Sequence, residues 1–138
     1  MERKYTVNKK EFEDNYKELI LNGDFFKGDN YCVRERPRSY NTLQLVLDNL
    51  TEIEDLSQLQ VLQIGGGQTG MLLQAMYGCK TIIADVNEQY GDYLINRGFG
   101  FRVFDLLYDD IPDRNKFDIV IMREVIGHLS VPPYEMPR

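Results

Sequence analysis

The sequence predicts an α/β fold in which helices flank an open parallel sheet of about four strands. Three observations support this fold class. Short apolar stretches alternate with helix-like segments from residue 59 onward. A cluster of glycines separates the first apolar stretch from the helix that follows it. Two amphipathic helical segments precede the whole region. Because strands joined through helices are connected by right-handed crossovers, the alternation indicates a parallel sheet.

The first of the two preceding helices is predicted over residues 9–21. Its apolar side chains recur at helical spacing, which is typical of a helix with one buried face. Asn8 followed by Glu11 resembles a capping box, in which a side chain accepts a hydrogen bond from the first turn. The pair Asn22-Gly23 predicts the end of this helix.

The second helix is predicted to begin at Ser39, which can act as its N-cap. Its apolar stripe extends to Leu50. The preceding residues, 24–38, contain a glycine and Pro37, and we expect them to be irregular.

The remaining elements follow from apolar runs, caps and glycine stops. β-branched residues favour the strands, and Asn87 can cap the second helix of this region. Strands are expected at 59–64, 80–84, 101–104 and 117–122, helices at 71–77 and 87–97, and a short helical turn at 124–129.

The composition disfavours several kinds of partner and site. A net charge of −6 and a pI of about 4.8 argue against general nucleic-acid binding, which needs a basic face. Cys32 and Cys79 stand far apart and His128 is the only histidine, so we predict no metal site. No apolar run can span a bilayer, and the N-terminus lacks the apolar stretch of a signal peptide. We therefore expect a cytoplasmic protein without membrane contact.

A chain of 138 residues fits one domain. Residues 1–58 form its predicted N-terminal helical part, and residues 59–129 form the α/β core. The proline-rich residues 130–138 are interpreted as a C-terminal arm or as the start of a missing segment.

Gly65, Gly67 and Gly70 have the spacing G-x-G-x-x-G between a predicted strand and a predicted helix. Glycines let backbone amides approach a ligand closely, and ligands of open α/β sheets bind outside the carboxyl ends of the strands. Asp85 ends the second predicted strand, 20 residues after Gly65. A carboxylate there can accept hydrogen bonds from ribose hydroxyls, so the pattern predicts a nucleotide-type ligand.

Residues 59–129 resemble the cofactor-binding half of the class I, Rossmann-like S-adenosylmethionine-dependent methyltransferases. The resemblance rests on four features in the family's order: the glycine-rich segment 61–70, the acidic Asp85, the strand end at 104–106, and the stretch 117–129 with its Glu-Val-Ile-Gly-His-Leu sequence. It implies that the chain binds S-adenosylmethionine and transfers a methyl group.

The resemblance also implies roles for individual residues. The loop wraps the methionine part of the cofactor, Asp85 binds the ribose, and Asp105 meets the adenine amino group. Independently of the resemblance, His128 is a candidate general base because the pKa of histidine lies near neutrality, with a structural histidine as the alternative. Glu124 is expected beside the methyl group. The predicted cofactor-binding residues are Gln63, Gly65, Gly66, Gly67, Asp85, Val86, Asp105, Leu106 and Arg123.

The sequence departs from the family pattern at three points. Gln63 stands where relatives have a carboxylate, so attraction to a cationic cofactor is expected to be weaker. Thr69 takes the place of the third glycine that is common in the family's motif, and Gly70 follows one position later. Relatives build seven strands, whereas this chain encodes only the part ordered 3-2-1-4. The fourth strand is then an apolar edge, so we expect a longer chain, a homo-oligomer or another partner that covers it.

Two other functions remain open. A dinucleotide-binding oxidoreductase domain also has G-x-G-x-x-G with an acidic residue about 20 positions later. A non-catalytic half-domain that binds a nucleotide-like ligand or another protein fits the missing strands and Gln63. For the methyltransferase we expect a small-molecule acceptor.

Overall fold

Four parallel strands form one sheet in the order β3-β2-β1-β4, which confirms the predicted fold class and strand order. The computed structural model describes residues 4–23, 30–105, 109 and 116–122. Since every neighbouring pair is parallel, the carboxyl ends of the strands lie at one edge. The strands are β1 (Gln60–Ile64), β2 (Lys80–Asp85), β3 (Gly100–Val103) and β4 (Ile119–Met122).

Two crossover helices cover one face of the sheet. Helix α3 (Gln68–Tyr77) connects β1 to β2, and α4 (Glu88–Asn96) connects β2 to β3. Both connections step in the same direction across the sheet, so right-handed crossovers place both helices on the same side. The main hydrophobic core lies between these helices and the sheet. It includes Val61, Ile83 and Ile121 from the sheet and Leu72, Leu73 and Leu94 from the helices.

The opposite face of the sheet carries a smaller apolar cluster, formed by Leu62, Ile64, Ala84 and Phe104. Strand β4 is the last strand at its end of the described sheet. Its side chains Val120 and Met122 are each 50% exposed, in contrast to the buried residues of β1. The partner or further chain expected at this edge stays a prediction.

The first helical segment has the predicted extent but not a uniform geometry. Helix α1 (Lys9–Tyr16) continues directly into a π-helical turn, Lys17–Leu21. The side chain of Asn8 accepts a 3.0 Å hydrogen bond from the amide of Glu11, as the capping pattern predicted.

The second helix is longer than predicted, because α2 spans Asn30–Asp48. The prediction of irregular structure is therefore wrong for residues 30–38, and Ser39 lies inside the helix and is buried. Pro37 is tolerated although proline in a helix interior costs roughly 3 kcal/mol. Packing offsets this cost, because one stripe of side chains at helical spacing is buried: Cys32, Glu35, Ser39, Leu43 and Leu47.

The other boundaries differ from the predicted ones by a few residues. Helix α3 begins at Gln68, three residues earlier than predicted, and β3 begins at Gly100. Strand β4 begins at Ile119, two residues later. The predicted helical turn at 124–129 and the arm at 130–138 lie outside the described residues. Among the helices of the described ranges, none is long and apolar enough to cross a membrane.

Alkaline pH is expected to destabilise this fold through Tyr16 and Cys79, a buried free thiol. Burial raises the pKa of Tyr16 from 10.0 to about 12, and that of Cys79 from 9.0 to about 11. Both groups are neutral when protonated. Their stabilisation is therefore complete below the unfolded-state pKa values and is lost as the pH rises through the folded-state values. Since burial raises each pKa by about two, full titration costs about 3 kcal/mol for each group, and roughly half of the loss for Tyr16 is reached at about pH 11.

Denaturant unfolding at about pH 8 and about pH 11 measures this loss. The variant Tyr16→Phe is the control, since it removes the phenol and should lose less stability between the two pH values. A free energy of unfolding that is equal at both would contradict the prediction.

Candidate functional site

The ends of three strands bring the predicted site residues to one edge of the sheet. In the sheet register, Ile64 of β1 is paired with Ala84, and Asp85 of β2 is paired with Val103. The amide of Gly65 donates to the carbonyl of Ala84 over 2.9 Å. The glycine turn therefore begins directly beside Asp85, as the spacing of the motif predicted.

Three consecutive glycines form the turn that follows β1. Gly65, Gly66 and Gly67 have φ values of 75°, 64° and 132°. Side chains of L-residues rarely adopt these values, so the turn requires glycine. At Gly67 there is also no room, because a Cβ atom would lie 2.2 Å from the hydroxyl oxygen of Tyr90. The glycine run thus serves both the backbone conformation and a close approach from α4.

Gly70 has a different role, which is close packing of α3 against the sheet. A Cβ atom there would lie 2.8 Å from Cγ2 of Thr81 and 3.0 Å from Oε1 of Gln63. The hydroxyl of Thr81 donates to the carbonyl of Gly70 over 3.0 Å. The third glycine of the motif is therefore needed for contact between helix and strand.

The buried side chain of Gln63 stabilises the junction between the glycine turn and α3. Its side chain is 3% exposed, and its Oε1 atom accepts a 2.6 Å hydrogen bond from the amide of Gly70. This amide is one of the first in α3 and has no acceptor within the helix itself. Gln63 thereby holds the start of α3 onto β1.

The start of α3 offers further backbone donors. Gly67 is its N-cap and supplies no side-chain hydrogen bond. Within the part of the chain that the structure describes, no group accepts a hydrogen bond from the amides of Gln68 and Thr69. Amides at a helix N-terminus carry a partial positive charge and bind anionic or carbonyl oxygens. The turn is therefore suited to an oxygen-bearing ligand.

Asp85 presents a carboxylate at the same edge. Its side chain is partly exposed, and its Oδ1 atom accepts a 3.0 Å hydrogen bond from the amide of Asn87. Its other oxygen has no donor among the described residues and is available for a ligand hydroxyl. The next residue, Val86, is 62% exposed and offers an apolar surface beside the carboxylate.

Tyr90 is a residue of the site that the sequence did not indicate. It lies on α4, is 4% exposed, and donates its hydroxyl to the carbonyl of Gly66. Burial, and the nearby Asp85 carboxylate after it, raise the pKa of Tyr90, so the hydroxyl keeps its proton. The sequence offers a single indication of Tyr90: it stands four residues before Leu94, which places both on the buried face of α4.

The remaining predicted site residues are described only in part. Asp105 is partly exposed after β3, where its amide donates to Oδ2 of Asp109 over 2.7 Å. Its predicted contact with adenine stays a prediction. Leu106, Arg123, Glu124 and His128 lie outside the described residues.

The described part of the site therefore supplies two kinds of group side by side. Backbone donors come from the glycine turn and the start of α3, and a carboxylate acceptor comes from the end of β2. Such a set recognises a ligand that carries both neighbouring hydroxyls and acceptor oxygens. No family model matches the sequence, and no match was found among curated proteins.

Proposed function

We propose that this chain binds S-adenosylmethionine at the glycine turn and Asp85, and that it forms the cofactor-binding half of a methyltransferase acting on a small molecule. The observation that carries the proposal is the position of the turn directly beside Asp85, at the carboxyl edge of a parallel sheet. The resemblance in sequence supports it, since the same residues carry the family's motifs.

In this proposal, Asp85 and the glycine turn bind different parts of the cofactor. The carboxylate of Asp85 accepts hydrogen bonds from the ribose hydroxyls. The amides around Gly67 and at the start of α3 receive the oxygens of the methionine part. Val86 supplies an apolar surface next to the ribose site.

Gln63 has a specific consequence for the charge of the ligand. It is neutral and buried, and its oxygen is already bonded to the amide of Gly70. The strand that leads into the turn thus carries no carboxylate at position 63. Since such a carboxylate would attract the sulfonium, its absence removes one source of preference for the charged cofactor over its neutral demethylated product.

Methyl transfer then requires mainly alignment of the acceptor and removal of its proton where needed. The residues proposed for this step, Glu124 and His128, come from the sequence alone. Cofactor binding thus involves residues that the structure describes, whereas the proposed catalytic residues belong to the family motif at 117–129.

Isothermal titration calorimetry on the full chain tests the proposal with three ligands. We expect S-adenosylmethionine and S-adenosylhomocysteine to bind with affinities within about tenfold of each other, because Gln63 is neutral. NAD is expected to bind more weakly than either. Hydrogen exchange with and without ligand should then show ligand-dependent protection at Gly67 and at Gln68 and Thr69, the first residues of α3.

Two results would contradict the proposal. Binding of NAD alone would favour a dinucleotide-binding oxidoreductase domain, which has the same glycine spacing. Binding of none of the three ligands would favour the non-catalytic module that interacts with another protein.

A further inference from the structure

Tyr90 controls the orientation of one peptide unit in the glycine turn. Its hydroxyl donates to the carbonyl oxygen of Gly66, and this carbonyl belongs to the peptide that joins Gly66 to Gly67. No peptide bond of the described chain is cis, so the carbonyl and the amide of this unit point in opposite directions. With the oxygen directed at Tyr90, the amide of Gly67 is directed away from α4.

This orientation is not determined by the glycines themselves. Glycine adopts positive and negative φ values almost equally well, so a peptide between two glycines can rotate at little energetic cost. The hydrogen bond from Tyr90 is the contact that selects one orientation. The hydroxyl of Tyr90 also occupies the space where a side chain of residue 67 would lie, so only glycine lets it approach the carbonyl of Gly66.

Tyr90 is itself held in place by its surroundings. Its amide donates to Oδ1 of the N-cap residue Asn87 over 3.2 Å, which fixes the start of α4. Its ring lies next to that of Tyr93, with centroids 6.5 Å apart and planes inclined by 15°. The hydroxyl of Tyr93 donates to the carbonyl of Leu19 over 2.7 Å, on the other side of the pair. These contacts fix the position of the Tyr90 side chain, and therefore of its hydroxyl, relative to the glycine turn.

We propose that Tyr90 is a positioning residue of the cofactor site, which holds the amide of Gly67 in the orientation needed to bind a ligand oxygen. The assignment of that ligand rests on the function proposed above. The orientation of the peptide does not, because it follows from contacts within the chain. Tyr90 lies behind the turn and acts on the ligand through Gly67.

The variant Tyr90→Phe tests the proposal, since it keeps the ring and removes only the hydroxyl. Tyr40→Phe is the matched control: it removes a tyrosine hydroxyl that donates to a backbone carbonyl, that of Val7, away from the turn. The amide NMR signals and backbone order parameters of Gly66 and Gly67 are recorded first, without ligand. In Tyr90→Phe we expect the amide signal of Gly67 to shift and the order parameters of both residues to fall, because the peptide between them can rotate; in Tyr40→Phe both should be unchanged.

Calorimetry with S-adenosylhomocysteine provides the second measurement. The affinity of Tyr90→Phe should fall about fivefold, which corresponds to a preorganised hydrogen bond. Thermal unfolding of both variants serves as the check on folding. A purely structural role for Tyr90 would lower the unfolding temperature without changing the affinity of the folded protein, and this result would overturn the proposal.

The two measurements also separate this proposal from the proposed function. If the wild-type chain binds no adenosine cofactor, the proposed function fails, and equal order parameters of Gly66 and Gly67 in wild type and Tyr90→Phe would then overturn the role of Tyr90 as well. If the wild type binds the cofactor but Tyr90→Phe binds it equally well, only the positioning role fails.

Discussion

Replacing Gly67 with alanine is expected to destabilise the protein by about 3 kcal/mol and to abolish cofactor binding. Two effects add at this position. The φ value of 132° is one that alanine rarely adopts, and the new Cβ atom would lie 2.2 Å from the hydroxyl oxygen of Tyr90. Either the turn or α4 must move, and both movements disturb the amides that receive the ligand. Urea unfolding and calorimetry measure the two losses.

Gly98→Ala is the control that separates backbone strain from steric overlap. Gly98 also has a positive φ, of 89°, but a Cβ atom there would meet nothing within 4 Å. We expect this variant to lose about 1 kcal/mol and to retain cofactor binding. Equal losses for the two glycines would show that the overlap with Tyr90 has no effect. In the Tyr90→Phe background the overlap is removed, so Gly67→Ala should cost less stability there.

The substitution Asp85→Asn should weaken cofactor binding by roughly 10- to 100-fold, since it removes the charge that accepts the ribose hydrogen bonds. The stability of the fold should change little. The asparagine oxygen can still accept the hydrogen bond from the amide of Asn87, which forms the turn into α4.

Asp92→Asn is the matched control for this measurement. Asp92 is exposed on α4, so the variant makes the same chemical change outside the proposed contacts. Its affinity for S-adenosylmethionine should equal that of the wild type within about twofold. If Asp85→Asn behaves in the same way, Asp85 does not bind the ribose, and the ligand lies elsewhere.

The α/β core could be predicted because its elements are specified locally. β-branched residues favour β2. Asn87 caps the start of α4 with its side chain, and Gly78 ends α3 in a left-handed conformation. The parallel order then follows from crossover handedness. The beginning of α2 could not be predicted in this way. Its buried stripe contains Glu35 and Ser39, so no apolar pattern marks it, and Pro37 suggests a break that packing overrides.

The candidate site was predictable to the extent that backbone conformation requires a particular residue. Only glycine fits the φ values of the turn, and Asp85 follows from the spacing. Tyr90 was missed because its role depends on the distance between α4 and the turn, which no local pattern contains. Gln63 was recognised as a departure from the family, but its bond to Gly70 depends on the packing of α3 against β1.

Paired strands are separated by unequal numbers of residues along the sequence, and this affects the order in which parts of the protein fold during synthesis. β1 pairs with β2 across 20 residues, whereas the amide of Gln60 reaches Asp118 across 58 residues. Closing the longer loop costs roughly 1 kcal/mol more chain entropy. The hydrogen bonds of Gln63 with Gly70 and of Tyr90 with Gly66 can form once α4 has left the ribosome, before β4 has emerged from it. A cofactor that binds this region can therefore stabilise the nascent chain while its edge strand is still inside the ribosome.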